Sequence, residues 1–235
     1  MSSFILKIIA IICMFCDHFG DFYYNSTTIL NYIGRFAFTI FAFQISEGYI
    51  HTHNIRKYIT RLFLFACISQ IPFMLFYYSI FDTYFAINVI FTLLFGLLTV
   101  LIYDKYNKFL GVITGIMLGI LAQLCHFDYG FYGVFIVFIF YILRNHKLYM
   151  SLLFIISVII KYYANTIKFQ LPISYIFWGN KFSLFMYSTC FSIIPILFYN
   201  GKKGKDAKYL FYIFYPLHLL ILGMLRSMGT GFFDR

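Results

Sequence analysis

Charge is what this sequence has least of. Asp and Glu together number eight in 235 residues, and all charged residues make up 11%, against roughly 25% in an ordinary soluble domain. Glu47 is the sole glutamate. No stretch is polar enough or long enough to form a separate soluble domain, so the chain reads as one domain over residues 1–235. A cleavage site is missing too. The first apolar run ends in CDHFGDF rather than in small residues, which favours a retained helix over a removed signal peptide. Cysteine spacing offers no framework: Cys13, Cys16, Cys67, Cys125 and Cys190 are scattered among apolar neighbours. They read as buried small hydrophobes rather than a redox or metal set. There is no internal repeat and no low-complexity segment.

What is present is apolar. The chain is 62% hydrophobic with a mean hydropathy of +0.84, the composition of an all-α, polytopic membrane helical bundle. At about 20 residues per span, hydropathy predicts roughly nine spans, near 4–22, 32–50, 59–80, 85–103, 109–125, 130–143, 148–164, 182–199 and 209–226. Lys and Arg, enriched in cytoplasmic loops, set the direction. Arg56, Lys57 and Arg61 follow the second span, Lys105 and Lys108 the fourth, Arg144 and Lys147 the sixth, and Lys202, Lys203, Lys205 and Lys208 the eighth. The alternate loops, around Asp21–Asn31, Phe81–Tyr84 and His126–Tyr129, carry none. This places the amino terminus in the cytoplasm. Lys161, Lys168 and Lys181 depart from the pattern. The net charge of +10 is then mostly topological, and its runs are too short to bind nucleic acid.

Ionisable groups within spans are costly, at least about 2.5 kcal/mol each near the bilayer centre, and therefore mark candidate functional positions. Asp17, His18 and Asp21 fall at the outer end of the first span and Arg35 at the outer start of the second. Gln70 and Asn88 lie in the outer parts of the third and fourth, and His126 and Asp128 on the loop after the fifth. Their similar depth predicts an intramembrane polar pocket. On the first helix, Lys7 and His18 are eleven steps apart; eleven turns of 100° return to within about 20° of the same face, ~16 Å along the axis. Asp17 is rotated about 100° from His18, so an ion pair with Arg35 is expected of it, and Asn88, His126 or Asp128 is left to orient the imidazole. Glu47 has two readings, a partner for Arg56, Lys57 or Arg61 and an acid contacting substrate. His51 and His53 lack a third ligand, so no metal is expected. His218, after Pro216 in YPLHLLIL, reads either as functional or as a core histidine bonded to a neighbouring carbonyl.

The stretches MFCDHFGDF, IGRFAFTIFAFQISEGYIHTHNIRKYITRLFLFACISQIPFML, NVIFTLLFGLL, HFDYGFYGVFIVFIFYIL and YNGKKGKDAKYLFYIFYPLHLLIL resemble, in the same order, the TraX family of membrane proteins, whose namesake acetylates the amino terminus of conjugative pilin. More distantly, the pattern is similar to transmembrane acyltransferases whose first helix carries Arg-x10-His or Asn-x10-His, with a catalytic histidine. The matching positions here are Lys7 and His18, with lysine replacing a bidentate arginine. The resemblance implies a multi-pass enzyme of the bacterial cytoplasmic membrane that takes acetyl from cytoplasmic acetyl-CoA to an acceptor at the outer face, a peptide amino terminus or an envelope-glycan hydroxyl. Lys7, Arg56, Lys57 and Arg61, with Lys105 or Lys108, would meet the donor. His18 would take the acceptor's proton or carry the acetyl group itself, and Asn88, Gln70 or Arg35 would steady the oxyanion. A transporter is the competing class, since ionisable groups also line ion pathways; the lack of a repeated half weighs against it. A cysteine peptidase would rest on Cys125 beside His126 alone.

Overall fold

The computed structural model describes residues 1–23, 27–81, 86–177, 180–205 and 208–228. Parts of the outer connections counted above, 24–26 and 82–84, and the side chain of Lys208 lie outside the described residues. The chain is all-α: α1 (Ser3–Tyr23), α2 (Ile29–His51), α3 (Ile55–Phe81), α4 (Val89–Lys105), α5 (Lys108–Leu124), α6 (Gly130–Ile142), α7 (Lys147–Lys168), a single 3-10 turn (Ile173–Ile176), α8 (Lys181–Phe191), α9 (Ile194–Leu197) and α10 (Lys208–Met228). Each span read from hydropathy corresponds to one helix, with α8 and α9 sharing the eighth. Extended pairing is limited, among the described residues, to one parallel bridge between Ile87 and Phe127.

Among the described residues, four helices are long and apolar enough to cross a membrane: α1, α2, α3 over Ile55–Ile80, and α7. The fourth, fifth and eighth spans are shorter for identifiable reasons. Asn88 and Asn107 cap α4 and α5, their side chains accepting from Ile90 N and from Phe109 N and Leu110 N. The eighth span breaks at Ser192–Ile193, with Pro195 in the first turn of α9. Large apolar side chains are exposed in rows, Phe63, Leu64, Ile68 and Ile71 on α3, Ile116, Met117 and Ile120 on α5, Leu152, Ile156 and Ile160 on α7. Patches of that size belong against lipid.

The chain divides into two compact units, each discontinuous in sequence. The first comprises Met1–Phe43 and Ile142–Asp206. In it α7 packs on the 3-10 turn and on α8, with the Tyr162 and Phe182 rings meeting edge to face at 5.1 Å. Polar contacts join α8 to α2: the Ser188 hydroxyl donates to the Tyr32 carbonyl, and Ser192 Oγ donates to Thr39 Oγ1 at 2.6 Å in a buried position.

The second unit comprises Gln44–Tyr141 and Ala207–Arg235, and in it α3 packs on α10 and on α4. A Cβ at Gly223 on α10 would stand 3.1 Å from the Phe76 backbone, so α10 lies close against α3 there. α5 presents glycine every fourth residue. Cβ atoms at Gly111, Gly115 and Gly119 would come within 2.4 Å of Tyr103, 2.8 Å of Thr99 and 2.6 Å of Phe131. These are the close approaches that small residues allow in membranes, where packing replaces the hydrophobic effect.

Candidate functional site on the first helix

In α1 the exposed residues Ile5, Ile12, Phe15 and Tyr23 form one stripe and the buried Leu6, Ala10 and Met14 another. At 100° per residue, Lys7 and His18 fall within about 40° of Met14. Both are half-buried and lie at the edge of the inward stripe, whose centre, beside Leu6 and Ala10, is occupied by Asp17.

Asp17 is held by α2. Arg35 Nη2 donates to its Oδ1 at 2.6 Å and to its Oδ2 at 2.5 Å, so the expected ion pair is present, with side-chain exposures of 26% for Arg35 and 15% for Asp17. Arg35 Nε donates to the Asn31 carbonyl at 3.2 Å, and the guanidinium lies 5.3 Å from the Phe185 ring centroid. His18 is within electrostatic reach of Arg35.

Two residues that sequence reasoning passed over complete the arrangement. Asn31, 4% exposed, donates from Nδ2 to Asp21 Oδ1 at 2.7 Å and to the Asp17 carbonyl at 3.2 Å, while its Oδ1 accepts from Thr28 N and Thr28 Oγ1 at 3.0 Å each. Its signal was its position one turn before Arg35. Gly34 makes room: a Cβ there would stand 2.4 Å from Asp17 Cβ, Cγ and Oδ1. In GRF, glycine admits the carboxylate and arginine binds it.

Gln70, Asn88, His126 and Asp128 belong to the second unit, where they pin two connections. Asn88, fully buried, donates from Nδ2 to the Ala66 carbonyl at 2.9 Å and to Gln70 Oε1 at 2.8 Å, and its Oδ1 accepts from Ile90 N. Both amide hydrogens thus meet protein acceptors, the geometry of a helix cap tied to α3. Gln70 Nε2 donates to the Ala86 carbonyl at 2.8 Å. Ile87 N donates to the His126 carbonyl and Asp128 N to the Ile87 carbonyl, and Thr92 Oγ1 donates to the Asp128 carbonyl at 2.5 Å. His126 is exposed and left-handed at φ 56°, its Nδ1 3.0 Å from the Leu124 carbonyl. The Asp128 carboxylate is within electrostatic reach of Tyr77 and Tyr215.

Elsewhere in the same unit, Glu47 Oε2 faces His51 Nε2 at 3.4 Å. This corrects the expected pairing with Arg56, Lys57 or Arg61: one turn of α2 puts His51 on the same face. Arg56, Lys57 and Arg61 are exposed, with Arg61 stacked over Tyr58 and Tyr212 at 5.7 and 5.6 Å. Asp104, unremarked in the sequence, accepts from Tyr49 at 2.7 Å and Tyr141 at 2.6 Å. His218 is buried, its Nδ1 2.7 Å from the Phe214 carbonyl, which is the core arrangement. No group of three or more His, Cys, Asp or Glu side chains that could hold a metal ion occurs among the described residues.

Fold and site together define a multi-helix membrane protein whose first helix carries a half-buried lysine and histidine on one face and is locked to the second by a carboxylate–guanidinium pair. The chain matches the family model described as TraX protein over residues 2–226 and belongs to that family. It is similar to the probable fimbrial assembly protein FimC, serogroup H1, of Dichelobacter nodosus, at 28% identity over 94% of each chain. No solved structure matches it.

Proposed function

We propose that this protein is an acetyltransferase of the bacterial cytoplasmic membrane, taking acetyl from cytoplasmic acetyl-CoA to the amino terminus of a pilin-like or secreted peptide at the outer face. The observation that carries this reading is that Lys7 and His18 share one face of α1, both half-buried, while the neighbouring Asp17 is engaged by Arg35. The fimbrial-assembly name of the Dichelobacter relative supports a pilin-like acceptor.

An α-amine with a pKa near 8 is mostly protonated at neutral pH, so a base beside it matters. His18 is that base. The ammonium gives its extra proton to water; the neutral amine nitrogen then bonds to the thioester carbonyl carbon as His18 takes one of its remaining protons, the C–S bond breaks, and the departing thiolate takes that proton from the imidazolium, leaving an N-acetyl peptide and CoA. Lys7 lines the donor's path on the cytoplasmic side of His18. The Asp17–Arg35 pair sets the position of α1, and hence of His18. The bonds made by Asn88, Gln70, His126 and Asp128 hold the frame of the second unit.

The test is acetyl transfer from acetyl-CoA to a candidate pilin-type peptide by purified protein, followed by peptide mass spectrometry. His18→Ala should lower transfer by about 10²–10⁴-fold while membrane insertion is unchanged. Wild-type rates in that variant would overturn the assignment.

A further inference from the structure

The segment after α9 reads Tyr-Asn-Gly-Lys-Lys-Gly-Lys over residues 199–205, and it is built onto the start of α1. Ser3 N donates to the Lys202 carbonyl at 2.8 Å and Phe4 N to the Lys203 carbonyl at 3.0 Å. Lys202 N donates to Asn200 Oδ1 at 3.1 Å. Gly201 and Gly204 are left-handed, at φ 75° and 73°, and a Cβ at Gly204 would stand 2.6 Å from Ser2 Oγ. Lys147 Nζ fixes the approach to the loop from behind, donating to the Leu197 and Tyr199 carbonyls at 2.9 and 3.1 Å. Lys202, Lys203 and Lys205 are exposed, and α1 has no acidic residue in its first turn. The loop therefore concentrates positive charge at one defined place, one turn beyond Lys7 on the same helix end.

Resting on the acetyl-CoA reading above, we propose that this glycine–lysine loop is the seat of the donor's phosphate groups. The reach supports it. Phosphopantetheine spans about thirteen bonds from phosphorus to sulfur, which at the ~1.2 Å per bond of an extended chain is roughly 16 Å. Lys7 and His18 are separated by the same ~16 Å along α1, and Phe4, where the loop attaches, by ~21 Å. A thioester at His18 thus brings the first phosphate level with Lys7 and the rest of the nucleotide level with Lys202, Lys203 and Lys205. Ammonium groups suit phosphates as mobile point charges, and the left-handed glycines let the backbone turn without a side chain in the way.

The experiment measures CoA binding to the full chain in nanodiscs of neutral lipid, with no acceptor present, so its outcome does not depend on transfer. Replacing Lys202, Lys203 and Lys205 by Ala should weaken CoA at least about tenfold, whereas pantetheine, which has no phosphate, should bind as before. The Lys→Arg triple variant should retain affinity. Undiminished CoA affinity, equal loss for CoA and pantetheine, or loss only when Arg56, Lys57 and Arg61 are replaced instead would overturn the proposal. So would weakened retention of phosphatidylglycerol with CoA affinity intact, which would make the loop a lipid-headgroup site. Wild-type protein that binds CoA but acetylates nothing would count against the transferase reading and leave the phosphate seat standing.

Discussion

Asp17 is managed from two adjacent positions of α2, and each can be tested alone. Gly34→Ala sets a methyl group 2.4 Å from the Asp17 side chain, so α1 and α2 must part or the carboxylate must leave Arg35; overpacking of this kind costs about 1–3 kcal/mol. The expected result is a lower unfolding temperature in detergent, read by size-exclusion fluorescence. Arg35→Ala strands the carboxylate and should cost roughly 3 kcal/mol. Arg35→Lys keeps the charge but loses the bond to the Asn31 carbonyl, for about 1 kcal/mol. Equal stability of the Ala and Lys variants would show that the pair holds nothing. The ion pair was legible in the sequence because opposite charges at the ends of consecutive spans have little else to meet. Gly34 and Asn31 were not, because their importance depends on how closely two helices cross, a distance that no residue pattern encodes.

Among the elements, the helices were the most legible part, since a bilayer demands long apolar runs and leaves each backbone group to bond within its own segment. Less legible was how they end and touch. The eighth span gives way at Ser192, where the hydroxyls of Ser188 and of the buried Ser192 reach Tyr32 and Thr39 of α2, and hydropathy averages over such a break. The glycine row of α5 was hidden for the opposite reason: it looks like unremarkable apolar sequence until α4 is seen against it. Gly115→Leu should therefore separate α5 from α4 at Thr99, at a cost of about 1–3 kcal/mol. Substitution at the lipid-facing Ile116, 48% exposed, by Leu should change stability by less than about 0.5 kcal/mol. Thermal unfolding of the two variants side by side distinguishes the faces.

For the whole molecule, the backbone bonds from Ser3 and Phe4 to residues 202–203 place the beginning of α1 and the loop before α10 at the same end. That agrees with an even number of crossings between them and with the lysine count in the loops. In a variant with the five cysteines replaced, Lys202→Cys should react with an impermeant maleimide from the cytoplasmic side only, and His126→Cys from the opposite side only. Labelling of both from one side would refute the topology. The polar residues near the span ends stand out in the sequence, but their roles were not separable there: a buried asparagine that caps a helix and one that touches substrate are the same letter.

The attachment of α1 to residues 202–203 also has a consequence for how the protein is made. α1 can gain its Arg35 partner within moments of emerging from the ribosome, since only 18 residues separate it from Asp17. The seam at its other end cannot close until nearly 200 further residues have been synthesised, on the order of 10–40 s at usual elongation speeds. The first helix therefore enters the bilayer early, anchored at one end only. Completion of the chain past Lys203 is the event that fixes the Lys7 end of α1, so a product truncated before it would be inserted yet unfinished.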